Sequence, residues 1–93
     1  MDIEQKLFGF WETETRKVSF LFVNAPEADG WWPLIYKLDG IQEQRQFKGL
    51  NNNSILIRIP KENKEVVQEI VFEHSKQIST YIPSGKVILI KKR

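Results

Sequence analysis

No cysteine occurs among the 93 residues of the chain, and histidine occurs once. Without thiols the chain has no disulfide framework, no thiol nucleophile and no cysteine-based zinc site. No apolar run approaches the roughly 20 residues that a membrane span needs, and repeated or low-complexity segments are also lacking. These absences exclude membrane-spanning helices, solenoids and disulfide-stabilised miniproteins.

What the chain does contain is typical of one ordered globular domain. Hydrophobic residues make up 41% and charged residues 28% of the sequence, which separates it from disordered chains. A length of 93 residues is enough for one hydrophobic core and too short for two. We therefore predict a single domain over residues 1–93.

Charge is nearly balanced and its small excess is local. The formal net charge is +2, and most of the excess lies in the final residues Lys91, Lys92 and Arg93. Nucleic acid binding requires a charged face interleaved with aromatic residues, so this basic tail disfavours a nucleic acid partner. The N-terminal residues carry acid where a signal peptide carries base, and the cytoplasm is therefore the expected location.

The N-terminal segment has the signals of a short helix. Asp2 followed by Gln5 marks a helix start, and the following turns share one apolar face formed by Ile3, Leu7 and Phe8. Gly9 then ends the helix. A helix this short is not stable alone, so we expect its apolar face to dock across the mouth of the remaining structure.

Eight further segments have the length and composition of β-strands. They cover residues 10–16, 17–23, 31–38, 41–48, 54–59, 66–74, 76–82 and 86–92. Asp39 and Gly40, between the third and fourth segments, form the strongest short hairpin signal. Residues 41–48 are almost wholly polar and are also compatible with a helix, and residues 66–74 have a helical alternative that their β-branched side chains disfavour.

The connections determine how these segments are arranged. Almost all of them are turns too short for anything but antiparallel neighbours. Eight antiparallel strands in sequence close into an up-and-down barrel, which removes exposed strand edges. The predicted fold class is therefore all-β, a small eight-stranded antiparallel up-and-down barrel with a short N-terminal helix.

Gly9, Phe10 and Trp11, placed after a short helix at the start of a meander, resemble the first-strand Gly-x-Trp motif of the lipocalin-like (calycin) barrels. The resemblance implies that Trp11 closes one end of a barrel and that a basic residue of the last strand packs over its ring. Lys91 and Arg93 are the counterparts of that basic residue here. The chain is far shorter than a typical lipocalin, which implies a small cavity.

Catalytic chemistry has few candidate residues. His74 is the sole histidine, and Glu73 beside it points to the opposite face of a strand, so the two form no local acid–base pair. Glycine-rich phosphate loops, paired histidines at helical spacing and the Gly-x-Ser-x-Gly motif are absent. We predict a non-enzymatic protein with no cofactor and no metal site.

Polar residues lie on strand faces whose apolar neighbours point inward. Glu43 and Arg45 share a face with Ile41 and Phe47, and Gln68 lies on the face of Val66 and Ile70. Buried ions cost several kcal/mol unless they are paired or solvated. A wet cavity, an ion-pair network of Glu43 with Arg45, or a bound polar ligand group would account for them; alternatively, the strand borders a gap and both its faces are exposed.

Aromatic residues cluster where the third strand begins. Trp31 and Trp32 are adjacent, so they face opposite sides of a strand and only one of them lies inside. Inward Trp32 with Tyr36 lines or fills a pocket. Outward Trp31 forms a surface patch for a protein partner or a self-dimer.

Two functional hypotheses follow from these patterns. The first is a binding protein of lipocalin-like type for a small, partly apolar or acidic ligand, whose acidic group is neutralised by Arg45. The second is a filled barrel that acts as a structural or protein-interaction module, with Trp31 and the basic tail outside. For the first hypothesis the predicted cavity lining is Phe20, Trp32, Tyr36, Arg45, Gln68 and Phe72.

Overall fold

A computed structural model describes residues 2–25 and 28–93 and contains one α-helix and nine strands in that part of the chain. The helix, α1, spans Ile3–Leu7. The strands are β1 (Gly9–Glu12), β2 (Val18–Phe22), β3 (Trp32–Leu38), β4 (Ile41–Asn51), β5 (Ser54–Ile59), β6 (Lys64–Glu69), β7 (Val71–His74), β8 (Gln77–Ile82) and β9 (Gly85–Lys91). Short 3₁₀ turns cover Ala28–Gly30 and Pro60–Glu62.

All nine strands belong to one antiparallel sheet. Its strand order is β6-β5-β4-β3-β2-β1-β9-β8-β7, so every strand except those at the two ends lies between neighbours. The end strands β6 and β7 are consecutive along the chain and are separated by Ile70 alone. The sheet curls into a half-barrel whose two end strands follow one another in the chain, and the predicted all-β antiparallel meander with a short N-terminal helix is confirmed.

The segment predicted as one strand over residues 66–74 consists of two strands. β6 pairs with β5 from Ser54↔Glu69 to Ile59↔Lys64, whereas β7 pairs with β8. Between them the side chain of Ile70 is fully buried, and its backbone N–H donates to the carbonyl of Asn53 at 2.8 Å. The chain thus changes its strand partner at an anchored residue, which alternation of side chains alone does not reveal.

The hairpin between β3 and β4 has the predicted two-residue turn. Asp39 and Gly40 both have positive φ, 50° and 84°, and the flanking Leu38 and Ile41 are paired. Positive φ at both central positions is the geometry that Asp-Gly favours in hairpins. Residues 41–48 are consequently strand, and their helical alternative is wrong.

Trp11 and α1 fill one end of the curled sheet, which we call the helix end. The Trp11 side chain is fully buried, and its Nε1–H donates to the carbonyl of Leu7 at 2.7 Å. Lys91, paired with Trp11 across β1 and β9, places Nζ 5.8 Å from the ring centre, while the guanidinium of Arg93 lies 5.5 Å from the Phe10 ring instead. The predicted basic residue over Trp11 is therefore Lys91.

The N-terminal segment that contains α1 also contacts β3 and β4. Glu4 accepts a hydrogen bond from the Gly49 N–H at 3.0 Å, and the Phe8 ring packs edge-on against Trp32 at 4.7 Å and Phe47 at 6.2 Å. This aromatic packing completes the core at the helix end. No helix within the described ranges is long and apolar enough to cross a membrane.

Candidate functional site

A cavity of about 490 Å³ occupies the opposite end of the sheet, which we call the open end. Three turns border this end: Asp39 with Gly40, the 3₁₀ turn Pro60–Glu62, and the turn between β8 and β9. Apolar side chains from β2, β3, β5 and β6 form the floor of the cavity. They are Phe20, Leu34, Leu38, Ile57, Ile59 and Val66.

Uneven strand pairing leaves this end open. The register of β4 with β5 begins only at Gln46↔Arg58, so residues 41–45 extend beyond β5 as an arm paired with β3. On the other side, β1 and β9 pair only at Trp11↔Lys91 and Glu12↔Ile90. The interior is therefore closed at the helix end and accessible between the strand tips at the open end.

Gln68 bridges the gap that opens between β6 and β8. Its Nε2 donates to Thr80 Oγ1 at 2.5 Å and to the Tyr81 carbonyl at 2.6 Å, while Thr80 Oγ1 donates to the Glu69 carbonyl at 2.6 Å. These bonds replace the backbone ladder that the two strands lack here. Gln68 thus lines the cavity and also connects its two walls.

The six residues predicted to line a cavity lie at different positions along the axis from the open end to the helix end. Phe20, Tyr36, Arg45 and Gln68 line the observed cavity. Trp32 and Phe72 share the inner face but lie toward the helix end, where Trp32 contacts Phe8 and the Phe72 ring lies 5.5 Å from Lys6 Nζ. Alternation along a strand indicates which face a side chain takes, but it does not indicate its depth in a barrel.

Arg45 and Glu43 form an ion pair inside the cavity. Arg45 Nη2 and Nε both donate to Glu43 Oε2, at 2.7 and 3.1 Å. The Arg45 guanidinium also stacks over the Tyr36 ring, 4.5 Å from its centre. The side chains are 18% and 30% exposed for Arg45 and Glu43. Of the explanations proposed for these polar positions, the ion pair of Glu43 with Arg45 is observed, and both residues line the cavity.

A second ion pair at the rim was missed from the sequence. Lys64 Nζ lies 3.2 Å from Glu62 Oε1, and both residues line the cavity. Their side chains are about half exposed, 51% and 54%. The sequence shows this region only as a charged turn, and no spacing signal assigns it to the same cavity as Glu43 and Arg45, because that placement depends on how the sheet curls.

Trp31 is covered rather than exposed. It lies outside the main core, with the Arg58 guanidinium 4.0 Å and Lys48 Nζ 5.4 Å from its ring centre. Only 5% of the residue is exposed. The exposed aromatic patch expected at Trp31 is therefore not present, because two cationic side chains of β4 and β5 lie over the ring.

His74 takes part in local structure. Its Nδ1 accepts a hydrogen bond from the Lys76 N–H at 3.2 Å, within the turn after β7. Glu73 instead accepts from the Ser79 hydroxyl at 3.1 Å. The two side chains have separate partners, and neither lines the cavity.

Burial in the wall of the cavity changes the acidity of Tyr36. Burial raises the pKa of Tyr36 above its usual 10.0, against an opposing effect of Arg45, and Glu43 and Asp39 add to the rise. The folded chain thus favours the neutral phenol. The contribution of Tyr36 to stability is complete below pH 10.0 and is lost as the pH rises through the raised pKa.

We expect the pH titration of Tyr36 to have its midpoint above pH 10.0. This titration is measured as the phenolate absorbance of wild type minus that of Tyr36→Phe at each pH. The same comparison in urea should show that wild type loses more unfolding free energy than the variant as the pH rises past that value. A midpoint at or below pH 10.0 would show that the phenol is well solvated and that the cavity wall differs from the structure described.

Comparison with known proteins leaves the family open. No protein-family model, curated protein or solved structure matches the chain. The structure itself shows an antiparallel all-β meander in which Lys91 lies over Trp11.

Proposed function

We propose that this chain is a non-enzymatic binding protein of lipocalin-like type that takes a small, partly apolar ligand in the cavity at the open end. The observation that carries the proposal is the cavity itself, about 490 Å³ with an apolar floor and a few charged groups at one side. Small-molecule sites are typically concave, mostly apolar and provided with a few polar groups that orient the ligand.

The topology supports a barrel of the lipocalin kind. β6 and β7 follow one another across Ile70, so we count them as one bent strand that pairs first with β5 and then with β8. On this count eight strands form an up-and-down barrel with one gap, which Gln68 bridges. A barrel that is filled at one end and open at the other is suited to holding a ligand.

The alternative, a filled barrel acting as an interaction module, has less support. The helix end is filled, with Trp11, Phe22 and Phe47 at most 1% exposed, but the open end is not. The surface that this alternative relied on, Trp31, is covered by Arg58 and Lys48.

We expect the neutral fluorophore N-phenyl-1-naphthylamine to bind saturably and at one site, and Val66→Trp to abolish this binding. Val66 is on the inner face of β6 and lines the cavity, so an indole there occupies the space that the probe needs. The measurement is a fluorescence titration of wild type and variant under identical conditions.

The matched control is Val67→Trp, on the next residue of the same strand. Val67 is 63% exposed and does not line the cavity, because successive strand residues face opposite sides. This variant should bind the probe as wild type does. Equal binding by all three proteins would place the probe elsewhere, and no binding by wild type would refute the proposed function.

A further inference from the structure

The charged groups of the cavity form two balanced pairs. Glu43 with Arg45 and Glu62 with Lys64 contribute two negative and two positive charges, so their formal sum is zero. The pair of Glu62 and Lys64 is about half exposed, and water screens it strongly. Discrimination between ligand head groups must therefore come mainly from Glu43 and Arg45, which are less exposed.

The pair of Glu43 and Arg45 is only partly used by the protein. Both hydrogen bonds from Arg45 end on Glu43 Oε2. Within residues 2–25 and 28–93, no hydrogen-bond partner is present for Arg45 Nη1 or for Glu43 Oε1. A guanidinium has five N–H donors and a carboxylate has two acceptor oxygens, so donor and acceptor capacity both remain at this wall.

A ligand with a single charge fits this wall poorly. An anion that binds Arg45 competes with Glu43 for the same cation and brings two like charges together, and a cation at Glu43 creates the converse conflict with Arg45. Partly buried charges that lose their partner are costly. A zwitterionic head group supplies an anion for Arg45 and a cation for Glu43, so neither residue loses a partner of opposite charge. The cavity therefore favours a zwitterionic ligand over a singly charged one, because only the latter leaves a charge unpaired.

We propose that the cavity binds zwitterionic amphiphiles, with the anionic group at Arg45, the cationic group at Glu43 and the apolar tail against the floor formed by Leu34, Ile57 and Val66. This inference rests on the proposed function and adds the class of head group. It also revises the expectation of a simple acidic ligand, because Arg45 is already neutralised by Glu43.

The test compares three amphiphiles with the same tail, each below its micelle concentration. They are decylphosphocholine, undecanoate and decyltrimethylammonium, all with a ten-carbon alkyl tail, and each is used to displace N-phenyl-1-naphthylamine from the wild-type chain. We expect decylphosphocholine to displace the probe at a concentration about 10-fold lower than either singly charged amphiphile, the effect of one additional charge-assisted contact. Equal displacement by all three, or tightest binding of undecanoate, would overturn the zwitterion inference.

Failure of this inference is distinguishable from failure of the proposed function. If the probe binds and Val66→Trp blocks it, the cavity is a binding site whatever the order of the three amphiphiles. If neither the probe nor any amphiphile binds, the proposed function fails and this inference fails with it.

A charge variant locates the selectivity. In Glu43→Gln the carboxylate is lost and Arg45 becomes an unneutralised cation, so undecanoate should gain about 10-fold and decylphosphocholine should lose its advantage. The control is Glu65→Gln, which makes the same change of net charge in the exposed pair with Arg58 outside the cavity. Glu65→Gln should keep the wild-type order of affinities.

Two outcomes would overturn this assignment. One is an unchanged order of affinities in Glu43→Gln, and the other is the same shift in both variants, which would indicate a general charge effect. Nuclear magnetic resonance gives a readout independent of the variants: the side-chain Nε–H signal of Arg45 should shift on saturation with decylphosphocholine. An unshifted signal at saturation would place the head group elsewhere.

Discussion

Replacing Trp11 with alanine is expected to lower the free energy of unfolding by about 3 to 5 kcal/mol, the usual cost of deleting a large aromatic side chain from a core. Trp11 has no exposed surface, and its Nε1–H donates to the Leu7 carbonyl at 2.7 Å. The substitution leaves a cavity beneath α1 and removes the ring over which Lys91 lies. Because small domains are stable by only about 5 to 15 kcal/mol, urea denaturation should show a large fall in the midpoint.

Two further variants separate the causes of this effect. Trp11→Phe keeps an aromatic ring but removes the donor, so it should lose about 1 kcal/mol for the hydrogen bond to Leu7 in addition to a smaller packing loss. Tyr81→Ala removes an aromatic side chain from a residue that is 56% exposed, and its effect should stay within about 0.5 kcal/mol. A Trp11→Ala chain that unfolds at the wild-type urea concentration would show that Trp11 does not organise this end of the sheet.

The features that the sequence predicts well are those determined by neighbouring residues. Asp39 and Gly40 specify a two-residue turn through their backbone preferences, and this turn sets the register of β3 against β4 whatever the polarity of the strand that follows. The burial of Trp11 is also predictable from neighbouring residues. A glycine and an aromatic residue directly after a short amphipathic helix leave few ways to bury the apolar face of that helix.

The features that the sequence does not predict depend on how the whole sheet curls. The exchange of strand partner at Ile70 is decided by the contact of its N–H with Asn53 and by the ends of β5 and β8, not by the alternation around it. For the same reason the alternation does not indicate that Trp32 and Phe72 lie toward the helix end, where they contact Phe8 and Lys6. The approach of Glu62 and Lys64 to the cavity is likewise a product of strand curvature.

The polar residues of β4 are only partly predictable from the sequence. The position of Glu43 and Arg45 on one strand face is a certain consequence of their spacing, and the cost of burying them makes an ion pair the expected outcome. Their spacing does not determine how much of each side chain remains exposed. That exposure, 18% and 30%, is what makes the pair available to a ligand.

Gly9→Ala is the second substitution expected to have a large effect, with a loss of about 2 to 4 kcal/mol of unfolding free energy. Gly9 has φ of 133°, a conformation that residues with a Cβ rarely adopt, and a Cβ there would lie 2.5 Å from the backbone carbonyl oxygen of Arg93 and 2.8 Å from Lys91 Cε. The backbone must move to relieve the first contact. That movement disturbs the bond from the Phe10 N–H to the same Arg93 oxygen, 2.6 Å long, through which the C-terminal segment is held against β1.

Gly85→Ala is the matched control, because Gly85 has almost the same φ, 130°, and, apart from its own chain neighbours, no heavy atom of the described residues lies within 4 Å of its Cβ position. It therefore carries the conformational strain, about 1 to 3 kcal/mol, without the contact. We expect Gly9→Ala to be the less stable of the two in urea denaturation, and amide hydrogen exchange at Phe10 and Lys92 to accelerate in Gly9→Ala alone, since the backbone bonds of these two residues join β1 to the C-terminal segment. Equal losses of stability with unchanged exchange at both amides would mean that strain accounts for the whole effect and that the C-terminal segment does not pack against Gly9.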